Sequence, residues 1–170
     1  DLDNDGYDEV FLNNIGEPNK LFRILENGLI KQISLDIGLE PDGYGTGAAV
    51  ADIDNDGILE LLVSHGESKD QQLSLYKAKV NPGHKYLRIK LLNKYGAPAR
   101  GATVTLISNL RKHSKTIDSG SGYLCQMEPV AHYGIRKNEN NIKIEIKWTN
   151  GKTKVISVKK LNQTITLNQK

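Results

Sequence analysis

Asp-Leu-Asp-Asn-Asp-Gly opens this 170-residue chain, and Asp-Ile-Asp-Asn-Asp-Gly returns at residues 52–57. Each copy carries a further acid at its ninth position, Glu9 and Glu60. Carboxylates at alternate positions of a tight loop (Asp1, Asp3 and Asp5; Asp52, Asp54 and Asp56) can all face one point, where they repel one another unless a cation sits among them. Gly6 and Gly57 lack a Cβ and so permit the sharp turn that such a loop needs. The backbone carbonyls of Tyr7 and Ile58 and the carboxylates of Glu9 and Glu60 would complete an all-oxygen shell. A hard cation that takes about six to eight oxygens fits that donor set, and calcium is the expected cofactor. The expected metal ligands are therefore Asp1, Asp3, Asp5, Tyr7 and Glu9 in one loop and Asp52, Asp54, Asp56, Ile58 and Glu60 in the other.

The main rival for such a pattern, the EF-hand, needs a ligating acid at position twelve and a helix on each side. Position twelve is Leu12 in one loop and Val63 in the other. The residues after the loops, Val10-Phe11-Leu12 and Leu61-Leu62-Val63, read as buried strand. The elements that must position the acids are thus strands. Short apolar runs bounded by Gly, Asn, Asp and Pro recur along the chain, and no long amphipathic helix does, which predicts an all-β protein. Expected strands include residues 9–13, 20–25, 47–52, 60–64, 73–77, 86–92, 102–108, 112–117, 142–149, 154–158 and 164–167.

In residues 141–149, Ile142, Ile144, Ile146 and Trp148 alternate with charged residues, the mark of a half-buried strand. Asn150-Gly151 follows as a hairpin turn. A two-residue loop there sets Ile146 opposite Val155 and Ile144 opposite Ser157, whereas a one-residue bulge sets them opposite Ile156 and Val158; both registers stay open. The two acidic loops stand 51 residues apart, and a strand-built period of that size points to propeller blades.

Charge divides the chain. Residues 1–80 hold 16 acids and 6 bases, a net −10; residues 81–170 hold 4 acids and 17 bases, a net +13. Two modules meeting near Asn81-Pro82-Gly83 are expected. The bases of the second module, such as Lys143, Lys147, Lys152 and Lys154, fall on solvent faces with few aromatics between them, so no nucleic-acid partner is expected. No apolar run approaches the roughly 20 residues of a membrane span. The single cysteine, Cys125, leaves the redox compartment open. Because residue 1 is already a loop ligand, the chain reads as the C-terminal piece of a longer protein.

The first half resembles FG-GAP/VCBS repeats, the blades of integrin-like β-propellers, through its acidic loops, Asn19-Lys20-Leu21-Phe22-Arg23, and the lead-in that runs from Gly43-Tyr44-Gly45 to Asp52. In the second half, Arg100-Gly101-Ala102-Thr103-Val104, Ser119-Gly120-Ser121-Gly122-Tyr123-Leu124, His132-Tyr133-Gly134 and Trp148-Thr149-Asn150-Gly151 resemble the ASPIC/UnbV domain. Cys125, Tyr133, Arg136 and Thr149 stand where that family usually has Ser, Phe, Gly and Pro. The order of modules is that of the cartilage acidic protein family. The resemblance implies calcium-binding propeller blades over residues 1–80, the fragment of a larger propeller, and a small β-sandwich or barrel-like domain over 81–170. It implies a secreted, periplasmic or cell-surface binding or adhesion protein without catalysis, whose partner is another protein or an extracellular polysaccharide. The alternatives are a role in secondary-metabolite biosynthesis, as the UnbV name implies, and polyanion binding by the basic module. Oligomeric state is not written in the sequence.

Other constellations lead less far. Gly43-x-Gly45-x-x-Ala48 imitates a dinucleotide fingerprint but lacks the preceding strand and following helix. The serines of residues 119–122 do not fit a nucleophile elbow. That segment reads as a glycine-rich turn with Tyr123 packed and Cys125 buried. His65, His84, His113 and His132 are scattered, with no zinc spacing, and His132 reads as a buried, hydrogen-bonded structural histidine. An enzyme would have to draw on His132, Tyr123 and Ser121.

Overall fold

The computed structural model describes residues 1–33, 44–66, 70–118 and 120–169. Among the described residues the regular elements are strands, with no helix: β1 (Glu9–Leu12), β2 (Lys20–Ile24), β3 (Ile30–Ile33), β4 (Gly45–Ala51), β5 (Glu60–His65), β6 (Ser74–Lys77), β7 (Lys85–Leu92), β8 (Thr103–Ile107), β9 (Lys112–Thr116), β10 (Ala131–Ile135), β11 (Lys143–Lys147), β12 (Thr153–Ser157) and β13 (Gln163–Asn168). The all-β expectation holds. Gly43 and Ser119, members of two motifs above, lie outside the described residues. The chain forms two compact units, one of Asp1–Asp3, Tyr7–Lys79 and Gly120–Met127, the other of Asn4–Gly6, Val80–Ser119 and Glu128–Lys170.

The first unit contains two antiparallel three-stranded sheets, β1-β2-β3 and β4-β5-β6. Each acidic loop runs directly into the first or middle strand of a sheet, β1 or β5. Leu61 and Val63 of β5 turn inward while Leu62 between them is exposed, the period-2 pattern of a half-buried strand. Asn13 Nδ2 donates to the carbonyl of Gly47 at 2.9 Å. Gly45 is required beside it, because a Cβ there would collide with the Asn13 carboxamide. Gly122 approaches the carbonyl of Ala48, so the glycine-rich segment does lie against a strand. Tyr123 does not pack, however; it is 64% exposed, and Leu124 beside it takes a left-handed φ of 51°. Cys125 is half-buried rather than buried.

The second unit contains the sheets β10-β7-β13 and β12-β11-β8-β9. Both contribute to one apolar core: Leu87, Ile89 and Leu91 of β7 and Tyr133 and Ile135 of β10 cluster with Val104 and Leu106 of β8 and Ile144 and Ile146 of β11. No sheet closes into a barrel among the described residues. Tyr133 is fully buried and satisfies its hydroxyl by donating to the Val104 carbonyl at 2.7 Å. Glu139 is buried with its charge met: its Oε1 accepts from Arg111 Nε at 2.9 Å and from the Ser108 hydroxyl at 2.8 Å. β13 runs parallel to β7, pinned at its start where the Tyr86 N–H donates to Asn162 Oδ1 at 3.0 Å.

Neither hairpin register expected for β11 and β12 is the one observed. Ile144 pairs with Ile156 and Ile146 with Lys154. The Trp148 N–H donates to the Lys152 carbonyl at 2.9 Å, so the loop has three residues, and Gly151 takes a φ of 82° at its end. A type I turn followed by a left-handed glycine explains this count.

Candidate metal centre

Both acidic loops share one backbone signature. Asn4 and Asn55 have φ of 58° and 62°, and Gly6 and Gly57 have φ of 91° and 83°. Asn and Gly are the residues that tolerate this left-handed region, which is why the pattern reads Asn-Asp-Gly twice. The ninth-position glutamate then ties each loop shut. The Leu2 N–H donates to Glu9 Oε2 at 2.7 Å, and the Ile53 N–H donates to Glu60 Oε2 at 2.8 Å.

The second loop lies wholly within the first unit. Its aspartates hold the turn by accepting from backbone N–H groups: Asp52 from Gly57 at 3.1 Å, Asp54 from Asp56 at 3.2 Å, and Asp56 from Ile58 at 2.8 Å. Asp52 and Glu60 are buried. Carboxylate oxygens of Asp52, Asp54 and Glu60 lie within 4.8 Å of one another, and so do those of Asp1, Asp3 and Asp5 in the first loop. Among the described residues, no group of this kind contains His or Cys. An oxygen-only cluster with buried acids suits a hard divalent cation such as calcium rather than zinc or copper. Asp56 and Glu9 stand outside these two tightest triads but are joined to their loops through basic side chains. The Tyr7 and Ile58 carbonyls keep the seventh position, with Ile58 two residues before β5.

Those basic side chains went unread in the sequence. Glu60 pairs across the ladder with Lys77, and Glu9 pairs with Arg23. Lys77 Nζ lies 2.7 Å from Asp54 Oδ2, 2.7 Å from Asp56 Oδ2 and 2.6 Å from Glu60 Oε1. Arg23 forms an ion pair with Asp3 through Nη2, and its Nε donates to Glu9 Oε1 at 3.4 Å. The hydrogen bond from Lys77 holds the Asp54 carboxyl below its ordinary range despite some desolvation. Asp54, then Asp56 and Glu60, push the Lys77 ammonium well above its usual value. The only signal available earlier was that Arg23 and Lys77 fall in expected strands that follow each loop.

The residues an enzyme would need are differently placed. His132 is buried, and its Nε2 lies 2.7 Å from Asn4 Oδ1 within the second unit, as a structural histidine would. Tyr123 is exposed and, with Ser121, belongs to the first unit. A hollow of about 480 Å³ in the second unit is lined by Asn141, Ile142, Lys143, Ser157 and Val158, none of them among these candidates. Gly45–Ala51 is a strand, so the dinucleotide-like glycines open no helix.

The FG-GAP-like repeat model matches residues 1–63, and the ASPIC and UnbV model matches residues 93–170. The chain is an FG-GAP-repeat protein with an ASPIC/UnbV domain. It is similar to cartilage acidic protein 1 of Homo sapiens, Mus musculus and Xenopus tropicalis, 44% identical to each over 161 residues and 89% of this chain. The match spans 24–25% of those proteins' own length, about a quarter. Among solved structures, the C-terminal fragment of pilus adhesin SpaC from Lactobacillus rhamnosus GG aligns over 96% of this chain and 70% of its own, at 13% identity and a TM-score of 0.24, too distant to inform the ASPIC/UnbV fold. No helix among the described residues is long and apolar enough to cross a membrane.

Proposed function

We infer that this FG-GAP and ASPIC/UnbV protein is a calcium-stabilised, non-catalytic binding or adhesion module that works outside the cytoplasm. The observation that carries the reading is the second loop, where carboxylate oxygens from positions one, three and nine lie within 4.8 Å of one another at the start of β5. The ligands would be Asp52, Asp54, Asp56, the Ile58 carbonyl and Glu60, with Asp1, Asp3, Asp5, the Tyr7 carbonyl and Glu9 as the second set. Bound calcium would neutralise alternate acids and fix each turn. The chain's own residues do the rest: Asn and Gly set the backbone, the glutamate clamps it, and the following strand carries the order into the sheet. The two sheets of the first unit are then blades of an integrin-like propeller, and the two-sheet second unit is a β-sandwich. The partner is another protein or an extracellular polysaccharide, and the protein is secreted, periplasmic or on the cell surface. Extracellular calcium suits an affinity on the order of 10⁻⁴ to 10⁻³ M.

Thermal melts with added calcium and with chelator test this. Binding to the folded state alone raises stability by mass action, so chelation is expected to lower the melting temperature by a few degrees. An identical melt under both conditions would sink the calcium reading.

A further inference from the structure

We propose that Lys77 is the resident counter-ion of the second acidic loop, and that a divalent cation enters only by displacing its ammonium, so that Lys77 sets the loop's calcium affinity. The proposal rests on the calcium reading above and adds the residue that tunes it.

Lys77 is no part of the loop. It reaches the acids from β6, because the β5–β6 ladder sets it directly opposite Glu60. An ammonium has three donors, and here three carboxylate oxygens, on Asp54, Asp56 and Glu60, lie 2.6–2.7 Å from it. Those three acids belong to the proposed ligand set, so the ammonium stands at the point their oxygens share, and a divalent ion bound by the same three oxygens needs that position.

The first loop repeats the device with different chemistry. Arg23 stands opposite Glu9 and bonds to Asp3 and Glu9. Arg23 follows its glutamate by 14 residues and Lys77 follows by 17, so strand register rather than spacing is what the two repeats share. The side chains differ in how readily they yield. A planar guanidinium that bridges two carboxylates is held by its geometry, whereas the lysine head sits on a flexible four-carbon stem. The Lys77 side chain is also 33% exposed, so its head can swing into water. Displacing it therefore costs little, and the competition lowers affinity without abolishing it.

The test is calorimetric titration of the chelator-stripped chain with calcium chloride, comparing the native sequence with Lys77→Met and Lys77→Arg. One site in Lys77→Met is expected to tighten about tenfold while the other is unchanged. Lys77→Arg is expected to stay as weak as the native chain. In chelator, Lys77→Met is expected to melt a few degrees below the native chain, because its acids have lost their only neighbouring cation charge from β6, and to recover in saturating calcium. Unchanged or weaker binding in Lys77→Met overturns the proposal while leaving calcium binding in place. Absence of binding in the native chain overturns the calcium reading and this proposal with it.

Discussion

The two units are held together by different means. Of the largest fully buried side chains among the described residues, Val63 alone belongs to the first unit; Leu87, Ile89, Leu91, Val104, Leu106, Ile117, Tyr133, Ile135, Ile144 and Ile146 all belong to the second. Strands β1 and β2 are half-buried or exposed throughout, whereas β10 is buried at every position. A sheet with so thin an apolar face gains less from the hydrophobic effect. The first unit compensates with polar turns, ladder pairs between glutamate and a base, and tightly hydrogen-bonded loops. The proposed ion would add most where the core adds least.

Three substitutions probe this contrast, and Trp148, buried in the second unit and the only tryptophan, supplies a local signal. Glu139→Ala leaves the largely buried Arg111 charge without its carboxylate and is expected to cost about 3–5 kcal/mol in the denaturant transition followed by Trp148 fluorescence. A loss below 1 kcal/mol would mean the second unit does not depend on that pair. Ile144→Ala removes a fully buried side chain from the shared core and is expected to cost about 2–5 kcal/mol in the same transition, equally with calcium or chelator. A calcium-dependent loss would blur the distinction between the units. Gly57→Ala places a Cβ on a residue at φ 83° and is expected to cost about 1–2 kcal/mol, with the Trp148 transition unmoved. If Trp148 responds as strongly as the far-ultraviolet signal, the loop stabilises more than its own unit.

Much of this was legible in the residues. The alternation in 142–148 predicted β11 directly, and the repeated acidic hexapeptide located both loops. Two strands escaped. β10 includes His132 and Gly134 and is buried on both faces, so it shows no alternation and reads as a motif. β3 is short, and its Lys31 and Gln32 stand in exposed positions. The hairpin register turned on whether Thr149 joins the loop, a choice of backbone angle that side-chain pattern does not encode. Lys77 and Arg23 were missed for a related reason. Their partners are set by the ladder across a long connection, and periodicity within one strand says nothing of register with the next. Tyr123 was expected to pack with the glycine-rich turn, and it stands exposed instead.

The parallel pairing of β13 with β7 has a consequence for how the second unit comes into being. β7 is the middle strand of its sheet, yet one of its neighbours arrives about eighty residues later, after every other strand of the unit has been made. Until then β7 offers an unpaired row of backbone groups along Tyr86, Arg88, Lys90 and Leu92, the side that later meets β13. Ribosomal synthesis at about 5–20 residues per second leaves that edge uncovered for several seconds or more. Distant pairings also form slowly, and an open apolar edge invites other chains. The interval before β13 emerges is therefore when a nascent copy is most exposed to misassembly, and when a chaperone would have most to protect.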